Sequence, residues 1–201
     1  MVNIAVLASG RGTNFEAIAK AVKTGKIKKA KIRLLITDKK DAFARIRAKK
    51  FKIEDIFINP KEFKTREDFE KKLIRILANE KIELVVLAGF MRILSSYFVK
   101  KFKNRALNIH PALLPVFKGT KAIESAYCYG VKVTGVTVHF IDEKVDHGPI
   151  VLQESLKIKD GESLAELEER VHSLEHKLYP EAIKLFAEGK LKLKGRRVEI
   201  L

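Results

Sequence analysis

Short apolar runs alternate along the chain with stretches whose apolar residues recur at helical spacing. The run Val2–Leu7 ends in the turn-like Ser9-Gly10-Arg11-Gly12 and reads as a buried strand. Thr13 and Glu16 then form a Thr-x-x-Glu capping pattern, and Phe15, Ile18, Ala19 and Val22 share one face until Gly25 stops the predicted helix. A strand over 32–37, a helix near 42–50 and a strand over 53–58 closed by Asn59-Pro60 come next. Thr65 and Asp68 open a helix with Phe69, Leu73, Ile76 and Leu77 on one face, and 84–88 reads as a fully buried strand. After a strand over 106–109 the pattern changes: apolar runs over 136–141 and 150–158, joined by a polar turn, predict antiparallel strands. Ser163 and Glu166 cap a last helix carrying Leu167, Val171, Leu174 and Leu178, which Pro180 is expected to bend or divide. The residues after Gly189 amount to one short hairpin.

Strands alternating with amphipathic helices require βαβ crossovers. The predicted fold is therefore α/β: a Rossmann-like, mostly parallel sheet with helices on both faces and antiparallel strands added in the C-terminal half. No repeat, linker or charge block divides the sequence, so residues 1–201 are read as a single domain.

Composition narrows the class. The 201 residues are 46% hydrophobic and 33% charged, which excludes collagen-like, low-complexity and wholly disordered chains. The lone cysteine, Cys128, forms no internal disulfide or Cys-based zinc site, fits a reducing compartment and is expected to serve packing. The apolar start has no basic leader and the run over 84–91 is too short to span a bilayer, so a cytoplasmic protein without membrane contact is expected.

The formal charge of +16 would suit nucleic acid or a phosphorylated small molecule. The lysines are spread along the chain and seldom alternate with aromatics, as a single-strand groove would require. A Lys/Glu-rich surface with one glutamine, Gln153, reads instead as heat adaptation, and no specific nucleic-acid partner is expected.

Three segments carry candidate chemistry. Ser9 to Asn14 lies between a strand and a helix, where free N–H groups and the helix dipole favour an anion; it serves either as a tight structural turn or as a phosphate cradle to which Thr13 and Asn14 side chains add donors. It lacks the third glycine of a dinucleotide fingerprint and the Gly-Lys-Ser/Thr of a Walker loop. Asn108 and His110 follow a strand and, two apart in extended chain, point to one side, where an amide and an imidazole could converge on one atom or simply be satisfied in the core. Asp146, on the polar loop 142–149, is either solvated or holds an imidazole. His139 and His147 are expected to be structural or solvent-facing.

Taken together, Ala8-Ser9-Gly10-Arg11-Gly12-Thr13-Asn14, Leu87-Ala88-Gly89-Phe90-Met91-Arg92-Ile93-Leu94, Asn108-Ile109-His110-Pro111, Leu113-Leu114-Pro115, Gly135-Val136-Thr137-Val138-His139-Phe140 and Asp146-His147-Gly148-Pro149 resemble the phosphoribosylglycinamide formyltransferases, folate-dependent enzymes of purine biosynthesis. The resemblance spans nearly the whole chain and implies the formyltransferase fold. It implies transfer of a formyl group from 10-formyltetrahydrofolate, the cosubstrate, to the amine of glycinamide ribonucleotide, with no metal and no covalent enzyme intermediate, by a monomer or homodimer. Asn108, His110 and Asp146 would be catalytic. Gly12, Thr13, Asn14, Pro111, His172, Ser173, Leu174 and Glu175 would hold the ribonucleotide. Arg66, Met91, Arg92, Ile93, Leu94, Asn108, Asp142, Glu143, Lys144, Val145 and Asp146 would face the folate.

Some positions depart from the family pattern. Ala112 replaces a usual serine, 121–124 lacks histidines found in many members, and Glu16 replaces a usual glutamine and is expected to fold back as the cap of Thr13. Alternatives are a methionyl-tRNA formyltransferase, which usually appends a basic β-domain; a formyltetrahydrofolate hydrolase, which would need a domain ahead of Val2; and a noncatalytic anion- or RNA-binding Rossmann module.

Overall fold

The computed structural model describes residues 1–201. The elements run β1 (Val2–Leu7), α1 (Thr13–Lys23), β2 (Ala30–Thr37), α2 (Phe43–Lys50), β3 (Glu54–Phe57), α3 (Arg66–Asn79), β4 (Leu84–Leu87), α4 (Ser96–Lys101), β5 (Ala106–His110), α5 (Ala122–Tyr129), β6 (Val133–Phe140), β7 (Ile150–Lys157), α6 (Leu164–Ala187), β8 (Leu191–Lys194) and β9 (Arg197–Ile200). The main sheet has the order β3-β2-β1-β4-β5-β6-β7, and β8 and β9 form a separate hairpin. Strands β1 to β5 pair in parallel, whereas β6 runs antiparallel to β5 and β7 antiparallel to β6.

Alternation along β1 shows why this sheet is covered twice. Ile4 and Val6 pack with Phe15, Ile18, Val171 and Tyr179 of α1 and α6, while Ala5 and Leu7 pack on the other face with Phe69, Leu73 and Phe98 of α3 and α4. The Tyr179 hydroxyl lies 2.9 Å from the carbonyls of both Leu87 and Leu107, tying α6 to β4 and β5. Strand order reverses between β1 and β4, so the chain leaving these strands diverges and opens a crevice at their carboxyl ends.

Several expectations are corrected. The N-cap of α1 is Gly12, in the left-handed region at φ 68° and without a side-chain cap. Glu16 does not fold back on Thr13, because its carboxylate is drawn to Arg47, Lys20 and Lys50. Helix α6 is not divided at Pro180 but continues through it as one element, opened by the expected Ser163–Glu166 capping box. Cys128 is exposed, not packed. Helices α4 and α5 were not expected; they are 6 and 8 residues long and carry too few periodic positions to register in the sequence.

Candidate active site

A cavity of about 940 Å³ fills the crevice. Its walls are the glycine turn from Ser9 to Asn14, the segment Leu87 to Leu94 after β4, Asn108 to Pro111 at the end of β5, the loop Ile141 to Asp146 after β6, and His172, Ser173, Glu175 and His176 of α6. No helix is long and apolar enough to cross a membrane.

The extended backbone of β5 turns Asn108 and His110 to the same side, and both meet Asp146. Asp146 Oδ2 accepts from the Gly119 N–H at 2.9 Å and lies 3.3 Å from His110 Nδ1; Oδ1 lies 3.4 Å from Asn108 Nδ2 and 3.7 Å from His139 Nε2. His110 Nε2 lies 2.7 Å from the Phe117 carbonyl, an acceptor only, so that nitrogen carries a proton. Burial alone would push the Asp146 carboxyl up. The neighbouring His139 imidazole, the Gly119 N–H and the His110 imidazole outweigh burial and hold it below the usual carboxylate range. An ionised carboxylate thus sits among N–H donors at the end of a strand, an arrangement able to stabilise a developing oxyanion and to accept a proton.

His139 is the residue that sequence reasoning missed. Only 1% exposed, it donates from Nδ1 to the Phe140 carbonyl at 2.8 Å, and its Nε2 stands 3.2 Å from Asn108 Nδ2. The antiparallel register places it directly opposite Asn108. His147 is half-buried and bonds Asp142 Oδ2 at 2.6 Å, while the Arg196 guanidinium in the β8–β9 turn grips the His147 carbonyl. Lys144 N–H donates to Asp142 Oδ1 at 3.0 Å, closing the loop that delivers Asp146.

At the other end of the cavity, the N–H groups of Gly12, Thr13 and Asn14 donate to no backbone carbonyl and so remain free for an anion. The turn is locked from behind by α2: Ala44 N–H donates to Gly10 at 3.1 Å and Arg47 Nε to Arg11 at 2.8 Å. A Cβ on Gly12 would lie 2.6 Å from that of Ala44. Asn14 Nδ2 donates to Glu175 Oε2 at 3.0 Å, and His172 Nδ1 lies 2.9 Å from the same oxygen. The Glu175 bond raises the pKa of His172, whereas burial lowers that of His176. One hydrogen of Asn14 Nδ2 is thus directed to Glu175, while its buried Oδ1, like His176 Nε2, has no partner within the protein.

Of the residues expected to bind ligands, two lie away from the cavity. Arg66 is exposed at the start of α3, and Leu174 points into the core beneath α6. The remainder line it.

Residues 2–183 match the family described as formyl transferase. The chain is 41% identical to phosphoribosylglycinamide formyltransferase of Bacillus subtilis, over 92% of this chain and 94% of that one. It is 43% identical, over 94% of its length, to the human trifunctional purine biosynthetic protein adenosine-3, of which it spans only 19%. Among solved structures, glycinamide ribonucleotide transformylase 1 from Symbiobacterium toebii superposes with a TM-score of 0.97 at 42% identity, covering 100% of this chain and 94% of that one. The corresponding protein from Geobacillus kaustophilus gives 0.90 at 40% identity, covering 93% and 99%.

Proposed function

Because the chain belongs to the formyl transferase family, we propose that it moves a formyl group from 10-formyltetrahydrofolate to the amine of 5′-phosphoribosylglycinamide, a step of purine synthesis. The observation that carries the reading is the convergence of Asn108, His110 and Asp146 in a cavity whose far end offers the free N–H groups of the glycine turn. Gly12, Thr13 and Asn14 hold the phosphate through their backbone. The unpartnered Asn14 Oδ1 needs a donor, which a ribose hydroxyl supplies, beside the carboxylate of Glu175. Met91 and Ile93 from one wall and Val145 from the opposite loop expose apolar surface at the mouth, suited to a flat heteroaromatic ring.

The neutral amine of the nucleotide attacks the formyl carbon. A carbon–nitrogen bond forms, and the carbonyl oxygen takes the negative charge. Asn108 offers an N–H donor to that oxygen, and His110 offers its Nε2–H once the oxygen takes the place of the Phe117 carbonyl. Asp146 keeps the imidazole oriented and receives the proton shed by the attacking nitrogen, which is returned to the folate nitrogen as its bond to carbon breaks. Anchoring the phosphate far from the reacting carbon holds both reactants in one cleft and lowers the entropic barrier to their meeting.

Purified protein supplied with both substrates is expected to form formylglycinamide ribonucleotide. His110→Ala and Asp146→Asn are each expected to lower kcat/KM by about a hundredfold or more with the thermal transition retained. Near-normal turnover in either variant would refute its assigned role.

A further inference from the structure

Glu70 is a carboxylate that no step above uses. It lies on α3, is 0% exposed, and is flanked there by the buried Phe69, Leu73 and Ile74. Burying a carboxylate among apolar side chains is strongly unfavourable unless its oxygens are satisfied, so its partners mark what the group is there to hold. Both hydrogen bonds come from one residue: the Ser95 N–H donates to Oε1 at 2.7 Å, and the Ser95 hydroxyl donates to Oε2. Ser95 occupies the N-cap of α4, yet its hydroxyl makes no cap bond, being turned to Glu70 instead.

The segment from Gly89 to Ser95 is thereby fixed at two ends. Upstream, Ser9 N–H donates to the Gly89 carbonyl at 3.0 Å and the Met91 N–H donates to Ser9 Oγ at 2.9 Å. Downstream, Glu70 holds Ser95. Between the two pins, Met91 to Leu94 form one wall of the cavity, and Arg92 lies over the ring of Phe69, 4.8 Å from its centroid. Met91 and Ile93 are more than half exposed, so packing alone does not fix this stretch.

We propose that Glu70 is a positioning residue: by anchoring Ser95 from α3, it sets the conformation of the Met91 to Leu94 wall and so the affinity for the formyl-folate cosubstrate. This rests on the reading of that wall as the folate side. Glu70 does not line the cavity, and its hydrogen bonds go to Ser95 and to none of Asn108, His110 and Asp146.

The test is Glu70→Gln in the full chain, which keeps size and one acceptor but meets the two Ser95 donors with an amide. The KM for 10-formyltetrahydrofolate is expected to rise about tenfold, as loss of one hydrogen bond to a charged group would give. The KM for the ribonucleotide and kcat should stay within about twofold of the parent. Ser95→Ala, which spares the backbone bond, should move the folate KM in the same direction by less, and it carries the test should Glu70→Gln fold poorly. Hydrogen exchange at the amides of residues 91–95 should quicken in both variants while residues 10–14 are unchanged. A folate KM within about twofold of the parent, or equal rises in both KM values, overturns the proposal. Absence of formyl transfer in the parent protein would instead defeat the reading of the activity; unchanged exchange over 91–95 would then still reject the anchor.

Discussion

Asp146 adopts φ 47°, a left-handed conformation uncommon for a residue with a Cβ, at the point where the loop after β6 returns toward the sheet. Gly148 makes that return possible: a Cβ there would stand 1.8 Å from the Phe140 carbonyl oxygen. The carboxylate then gathers Asn108, His110, His139 and the Gly119 amide around itself, so one side chain orients the groups proposed to act on the formyl carbon. The other ionised cluster has its own pH signature. His172 is raised above its unfolded value by its bond to Glu175, so its contribution to stability is fully present below about pH 6.5 and is lost as pH rises through the folded value. The difference in Tm between the parent and His172→Ala should therefore shrink from about pH 5.5 to about pH 9. Thermal melts across that range check it; a difference that grows with pH would mean the pair is not charged as drawn.

At the scale of elements, the glycine turn and α2 form one unit. Gly12 caps α1 in a left-handed conformation with Ala44 against it, and Arg47 holds both the Arg11 carbonyl and Glu16. Gly12→Ala forces a Cβ into Ala44 at positive φ and should cost about 1–3 kcal/mol. It should also raise the KM for the ribonucleotide more than that for the folate, as steady-state kinetics would read. This unit also shows where sequence reading stops. The Thr-x-x-Glu pattern predicts a capping box, but Arg47 is 31 positions beyond Glu16 in a different helix, and no local rule reveals that it takes the carboxylate. The identical logic at Ser163 and Glu166 holds because nothing distant competes for that glutamate. Asn108 and His110 were legible because a strand's period of two is local, whereas His139 was not, because facing Asn108 depends on the β5–β6 register.

Over the whole molecule, alternating apolar runs are enough to give a doubly covered sheet, and the reversal between β1 and β4 places the crevice. The charge of +16 was legible too, but its meaning lies in its distribution. Many cations meet nearby carboxylates at the surface, such as Arg33 with Glu80 at 2.8 Å and Lys177 with Glu154 at 3.0 Å, pairs that contribute little individually. Any affinity for RNA should therefore be diffuse and fall steeply as salt rises from about 0.05 M to about 0.2 M. Formyl transfer, which uses a few buried contacts, should lose much less over the same range. Parallel salt titrations of RNA binding and turnover check this, and turnover that falls in step with RNA binding would point to a polyanionic acceptor.

The choice of acceptor tests the proposed activity most directly. With 10-formyltetrahydrofolate as donor, glycinamide ribonucleotide and methionyl-tRNA should be offered together and both formylated products measured. If the proposed activity is right, the ribonucleotide takes essentially all of the formyl group and Asp146→Asn lowers the transfer by about a hundredfold or more. Preferential formylation of methionyl-tRNA, or no transfer to either acceptor by the parent protein, would contradict it.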